Sequence, residues 1–266
     1  MDGQCLVDLI YVFFFIGLLF KEVEPIKITK VQIPSVVRAG TEEPIILDCQ
    51  YSMDGSSNLA LVVKWYVNGE ILYQWIHGRA PQGSEEFQQY IDKSYKASTN
   101  PDMEYRAVKL VRPSHDLSGK VRCSISTQDG EDEAEGELLV YSPERSLQIA
   151  EPISNDETKQ LSVTCLAEDV YPLPIITIRR DNQTIKDQKV YHNEKQDRRY
   201  NVGVLAVIPM EKMELPTKFQ CEIHIAAANY TSIREYVYNG TDGLRLSLVT
   251  SFIIYVFVIT TTVLHY

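Results

Sequence analysis

The chain has 266 residues and a formal charge of −10, from 36 acidic and 26 basic side chains. Setting aside an apolar segment at each end leaves roughly 215 residues, room for two domains of about 100 residues that each bury a core. An acidic chain without a basic cluster excludes a nucleic-acid binder, which needs a positive face against the phosphates.

Leu9–Phe20 is a run of twelve apolar residues ending at Lys21 and Glu22. It is too short to span a bilayer and fits the apolar core of a secretory leader over residues 1–22. The start is atypical, with Asp2 and Asp8 and no basic residue; a buried strand or helix is the alternative. Export agrees with the cysteines. Cys5 leaves with the leader, and the remaining four are the even number expected of paired extracellular thiols.

The middle of the chain carries short strand-like runs between turn signals at intervals of about ten residues, an all-β pattern. The strands expected in chain order are Ile45–Tyr51, Leu61–Val67, Ile71–Ile76, Tyr105–Leu110, Gly119–Ile125 and Glu137–Tyr141. Asn68-Gly69 is a type I′ hairpin signal between the second and third, and Asp129-Gly130 marks another tip. Cys49 and Cys123 are 74 positions apart, and Trp65 follows the first by sixteen. A disulfide between strands B and F of a sandwich, with a buried Trp on strand C, has this order. The wide spacing suits a variable-type immunoglobulin-like sandwich over residues 25–142. Val121 stands where the corner tyrosine of strand F would be.

Ser142-Pro143-Glu144 reads as a linker into a second immunoglobulin-like sandwich over 143–238. Cys165 and Cys221 are 56 positions apart, a constant-like spacing. Ile178 takes the place of the strand-C Trp, and Phe219 that of the corner tyrosine. The fold class is therefore all-β, with two tandem sandwiches pinned by Cys49–Cys123 and Cys165–Cys221.

The tail, 239–266, begins with the small residues Asn239-Gly240-Thr241-Asp242-Gly243. Nineteen uncharged residues then separate Arg245 from His265. That length just spans a bilayer. The order of small residues, short spacer and apolar tail is also a glycosylphosphatidylinositol (GPI) signal, with Asn239 as the preferred attachment residue and Gly240 the next. A lipid anchor on the outer cell surface is preferred here to a single spanning helix.

Strand motifs of the first sandwich are similar to those of one family. Val31-Gln32-Ile33-Pro34-Ser35-Val36-Val37-Arg38-Ala39-Gly40 resembles its V-x-[IV]-P-x-x-V-x-x-G opening. Val63-Lys64-Trp65-Tyr66, then Glu70-Ile71-Leu72-Tyr73-Gln74-Trp75 and Pro81, resemble its V-K-W-Y…E-F-Y-R-Y-x-P run. Leu117-Ser118-Gly119-Lys120-Val121-Arg122-Cys123 resembles its S-G-K-[FY]-x-C strand. The family is beaten path (Beat), neuronal surface or secreted proteins with tandem immunoglobulin domains; the likeness is dense over residues 28 to 141 and thin beyond Pro143. Leu72, Trp75 and the missing second-domain Trp depart from the pattern. The resemblance implies recognition in axon guidance and neuronal adhesion, with immunoglobulin-family receptors of the sidestep type as partners. A secreted immunoglobulin binder of soluble or immune ligands, its tail processed away, is the alternative.

Candidate partner-binding residues follow from strand alternation. Trp65 packs on the disulfide, so Lys64 and Tyr66 face outward. Tyr73 and Trp75 share one face of the next strand. Outward beside Tyr66 they make an aromatic interface anchor; inward they fill the core. His77 continues that edge. The acidic stretch around Glu131, Asp132, Glu133, Glu135 and Glu137 is either a solvated hairpin or a steering element for a basic partner. Asn182, Asn229 and Asn239 lie in N-x-[ST] sequons, none in the first sandwich, which leaves its faces unshielded. No histidine pair has metal spacing, no nucleotide or nucleophile motif appears, and no thiol is free. No enzyme activity, cofactor, metal or small-molecule substrate is expected.

Overall fold

The structure is a computed structural model describing residues 26–240; residues 1–25, with the expected leader, and 241–266, with most of the expected anchor tail, lie outside the described residues. The chain divides between Tyr141 and Ser142, one residue before the boundary read from the sequence. Among the described residues both units are built from β-strands and single-turn 3-10 helices.

The first unit contains strands β1 (Lys27–Gln32), β2 (Val36–Arg38), β3 (Ile45–Ser52), β4 (Val62–Val67) and β5 (Glu70–Ile76), then β6 (Gln82–Gly83), β7 (Ile91–Asp92), β8 (Val108–Leu110), β9 (Gly119–Thr127) and β10 (Gly130–Tyr141). They form two facing sheets, ordered β1-β3-β8-β7 and β2-β10-β9-β4-β5-β6. Strict alternation in β3, β4 and β9 sends Leu47, Cys49, Tyr51, Val63, Trp65, Val67, Val121, Cys123 and Ile125 inward. The Cys49–Cys123 disulfide ties the two sheets, with 6.4 Å between Cα atoms. A crosslink closing about 75 residues stabilises by ~4 kcal/mol on a loop-entropy estimate. Trp65 is opposite Cys123 in the ladder, fully buried, and its indole N–H donates to the Arg106 carbonyl at 3.1 Å. Because that carbonyl and the Tyr105 carbonyl accept from core aromatics, the strand expected from Tyr105 starts only at Val108.

The second unit contains β11 (Ser146–Ile149), β12 (Ile153–Asn155), β13 (Gln160–Val170), β14 (Ile175–Arg180), β15 (Gln183–Thr184), β16 (Gln188–Glu194), β17 (Tyr200–Pro209), β18 (Thr217–Ile225) and β19 (Tyr230–Tyr238). One sheet runs β11-β13-β17-β16, with β12 on β13, and the other β15-β14-β18-β19. Cys165 on β13 bonds to Cys221 on β18 across 5.8 Å between Cα atoms. Ile178 is opposite Cys221, the ladder position that Trp65 holds in the first unit, and Ile178 and Phe219 are fully buried.

Candidate functional site

The outer face of the larger first-unit sheet gathers most of the residues singled out in the sequence. The ladders set them in rows. Glu131, Ser126, Val62 and Ile76 form one row across β10, β9, β4 and β5. Glu133, Ser124, Lys64 and Gln74 form the next. Glu135, Arg122, Tyr66 and Ile71 form the third, and Glu137 with Lys120 closes the face. Directly opposed residues share a face of the sheet, and every one of these is at least partly exposed.

Acidic side chains gather along one side of the face. Glu131, Glu133, Glu135 and Glu137 line β10. Two of them make diagonal ion pairs to β9, Arg122–Glu133 at 2.7 Å and Lys120–Glu135 at 2.9 Å. The Glu135 carboxylate holds the Lys120 ammonium above its usual range. Glu131 and Glu137 make no ion pair among the described residues. Toward β5 the surface carries Val62, Ile76 and a 42 % exposed Ile71, with Lys64 and Gln74 in the row between them. Between β10 and β5 the Arg122 guanidinium lies 4.5 Å from the Tyr66 ring centroid. That contact restrains the rotamer-rich Arg122 side chain against the stiffer Tyr66 ring.

Lys64 and Tyr66 thus stand where alternation places them, but Tyr73 and Trp75 do not join them. Both are buried, at 2 % and 1 % exposure. Tyr73 donates its hydroxyl to the Tyr105 carbonyl (3.0 Å), and Trp75 its indole N–H to the Arg79 carbonyl (3.2 Å). The cause is a β-bulge. The Asn68-Gly69 turn starts the hairpin with Val67 opposite Glu70 and Tyr66 opposite Ile71, so a regular ladder would set Leu72 against Trp65. A register shift between Trp65 and Tyr66 instead sets Tyr73 there. One extra residue reverses which face the rest of a strand presents. His77 lies beyond β5, its Nε2 3.0 Å from Asp102 Oδ1. It fastens the loop before β8 and is not on the face.

The acidic stretch also divides. Asp132 turns to β1, where its carboxylate accepts from the Ile28 N–H (2.7 Å), and Asp129 accepts from the Ser57 N–H (2.7 Å). These two carboxylates are structural, and only the alternating glutamates front the face. Arg122, Val62, Ile71 and Ile76 belong to it as well. The pairing of β9 with β4 would have revealed Arg122, but sequence alone does not give that register.

In the second unit, Asn182 and Asn229 are exposed, each at a hairpin turn with positive φ (66° and 48°). Asn239 is exposed just past β19. All three belong to the sheet β15-β14-β18-β19 or its turns; Thr241, which completes the last sequon, lies outside the described residues. Among the described residues no group of three or more His, Cys, Asp or Glu converges to hold a metal ion. No helix there is long and apolar enough to cross a membrane.

Solved structures share this arrangement of sheets. Bovine butyrophilin is similar over 80 % of this chain and 99 % of its own, with a TM-score of 0.64 and 15 % sequence identity. The chain has the tandem immunoglobulin fold. The three-domain ectodomain of mouse nectin-like molecule 4 matches 77 % of this chain at 16 % identity and a TM-score of 0.52, and the chain spans 65 % of its length. No protein-family model matches the sequence, and no curated protein sequence does.

Proposed function

We propose that the protein is a cell-surface recognition and adhesion molecule whose first immunoglobulin domain docks a sidestep-type immunoglobulin receptor, in neuronal recognition and axon guidance. The observation that carries this reading is the open face of β10, β9, β4 and β5. It has the apolar Val62, Ile71 and Ile76, an acidic border and a restrained Tyr66–Arg122 pair at its centre. Aromatic and arginine side chains at the middle of a patch are the usual energetic anchors of protein interfaces. The resemblance of residues 28 to 141 to the Beat family names the partner class. The absence of sequons from the first domain leaves its faces open.

The test is binding of sidestep-type ectodomains to cells displaying the full chain. Tyr66→Ala is expected to weaken binding at least tenfold, on the order of 2 kcal/mol for an interface anchor, at unchanged surface level. Unaltered binding to this variant would remove the face from the reading. The same cells test the tether. A lipid at Asn239, or failing that Gly240, predicts release of the protein into the medium by phospholipase C, and retention would exclude the lipid.

A further inference from the structure

The second domain has a free sheet edge that the recognition reading leaves unused. Strand β16 pairs with β17 on one side only and closes its sheet. It runs seven residues, Gln188–Glu194, and all but the first are exposed. Val190 is 58 % and Tyr191 50 % exposed. At the hairpin tip, the Lys195 N–H donates to the Arg199 carbonyl at 2.8 Å. Antiparallel ladders alternate bonded and non-bonded pairs. Counting back through Asn193↔Asn201, Tyr191↔Gly203 and Lys189↔Leu205 gives the residues bonded to β17. The N–H and C=O groups of Val190, His192 and Glu194 therefore point out from the edge.

Other edges of this domain are closed or guarded. On β14, the Gln188 side-chain amide accepts from the Ile178 N–H (2.8 Å) and donates to its carbonyl (2.9 Å), standing in for a neighbouring strand. Strands β11, β12 and β15 are only four, three and two residues long. Strand β19 has the sequon Asn229 immediately before its first residue. Strand β16 belongs to the sheet that carries no sequon, and it has no proline. A seven-residue edge whose charged side chains are Lys189 and Glu194 alone is a template for another strand, above all for one whose charges do not oppose these two.

We infer that β16 pairs antiparallel with β16 of a second copy of this chain, about a two-fold axis at Tyr191. The observation that selects a second copy is the self-complementarity of the strand. In that register Gln188 meets Glu194, Lys189 meets Asn193, Val190 meets His192 and Tyr191 meets itself, so no like charges are opposed. The outward N–H and C=O groups of Val190 and His192 then bond each other across the axis. Tyr191 is held ready. It lies across Gly203, so closely that a Cβ there would come within 2.3 Å of the ring, which lowers the entropy lost on pairing. The result is a continuous sheet of two second domains.

Single cysteines in the full chain on cells test the register. Both cysteine pairs of the described residues are bonded, so a new thiol finds no partner within them. Residues facing each other in a non-bonded pair are about 4.5 Å apart at Cα, within disulfide reach. Tyr191→Cys is expected to give a reducible band at twice the chain mass. Lys189→Cys and Asn193→Cys are each expected to stay monomeric alone and to crosslink when co-expressed. This pair keeps the test valid if loss of Tyr191 unfolds the domain. No crosslink from either arrangement, or equal crosslinking by all the single variants, would overturn the pairing. Receptor binding through the first domain is read separately, so its failure is distinguishable.

Discussion

Asn68 and Gly119 show how single residues set the geometry of the larger first-domain sheet. Asn68 and Gly69 both have positive φ, as a type I′ turn requires. The Asn68 side chain then bonds as a strand would, accepting from the Lys120 N–H (3.0 Å) and donating to the Ser118 carbonyl (2.9 Å). It fits because position 119 has no side chain. A Cβ on Gly119 would come 2.0 Å from Asn68 Oδ1, and its φ is +134°. Gly119→Ala is therefore expected to destabilise the first domain by roughly 1–3 kcal/mol, seen as a lower thermal midpoint. Asp169 has an equivalent role in the second domain. It is buried in a left-handed bulge, with Lys195 and Arg145 on its two carboxylate oxygens. Hydrogen bonds from Lys195, then Arg145, hold its carboxyl at about 2, against an ordinary 3.8. A depressed carboxylate stabilises the fold fully above the unfolded value and loses that contribution as pH falls through the folded one. Thermal stability should thus drop between pH 4 and 2, and Asp169→Asn, which tolerates the same backbone, should reduce that drop. The variant should also cost roughly 1–3 kcal/mol at neutral pH, through lost charge-assisted bonds.

At the scale of the strand, the bulge in the β4–β5 hairpin separates the residues packed in the core from those on the outer face. Alternation within β4 is regular, so Trp65 inward and Lys64 and Tyr66 outward were legible from the sequence. Orientation beyond Leu72 was not, because the shift between Trp65 and Tyr66 has no turn residue or glycine to mark it. Its physical source is the core. It brings the Tyr73 hydroxyl to the Tyr105 carbonyl and sets Trp75 edge-on to Tyr105, with centroids 5.8 Å apart. Tyr73 and Tyr66 should then respond in opposite ways. Tyr73→Phe leaves a carbonyl unpaired and is expected to lower stability by about 1 kcal/mol while receptor binding stays unchanged. Tyr66→Ala should weaken binding with little change in thermal midpoint. A loss of binding on Tyr73→Phe at full surface expression would place that ring in the interface after all.

For the whole molecule, the cysteine spacings and Trp65 made both sandwiches legible, because a cross-sheet disulfide and its covering residue fix strands B, C and F together. The missing Trp of the second domain did not alter its fold, since Ile178 fills the same ladder position opposite Cys221. What the linear sequence hid was the sorting of charge. The first domain carries 17 acidic and 12 basic side chains over residues 26–141, a net of −5. The stretch 129–137 contributes six of those acids, but Asp129 and Asp132 are spent on backbone N–H groups and Glu133 and Glu135 on β9 cations. Asp129 and Asp132 keep their charges while fixing the backbone, so among the four outward-facing glutamates of β10 the charge not matched by a cation falls to Glu131 and Glu137. If the partner is basic, reversing these two to Lys should slow association severalfold at low salt, with dissociation nearly unchanged, since border charges act chiefly on encounter. The difference should vanish as salt shortens the screening length toward about 3 Å near 1 M. Reversal of Asp132 should instead lower stability, by removing the acceptor for the Ile28 N–H. Stopped-flow association rates across a salt series separate the cases, and rates unaffected by the Glu131 and Glu137 reversals at low salt would show that the acidic border steers nothing.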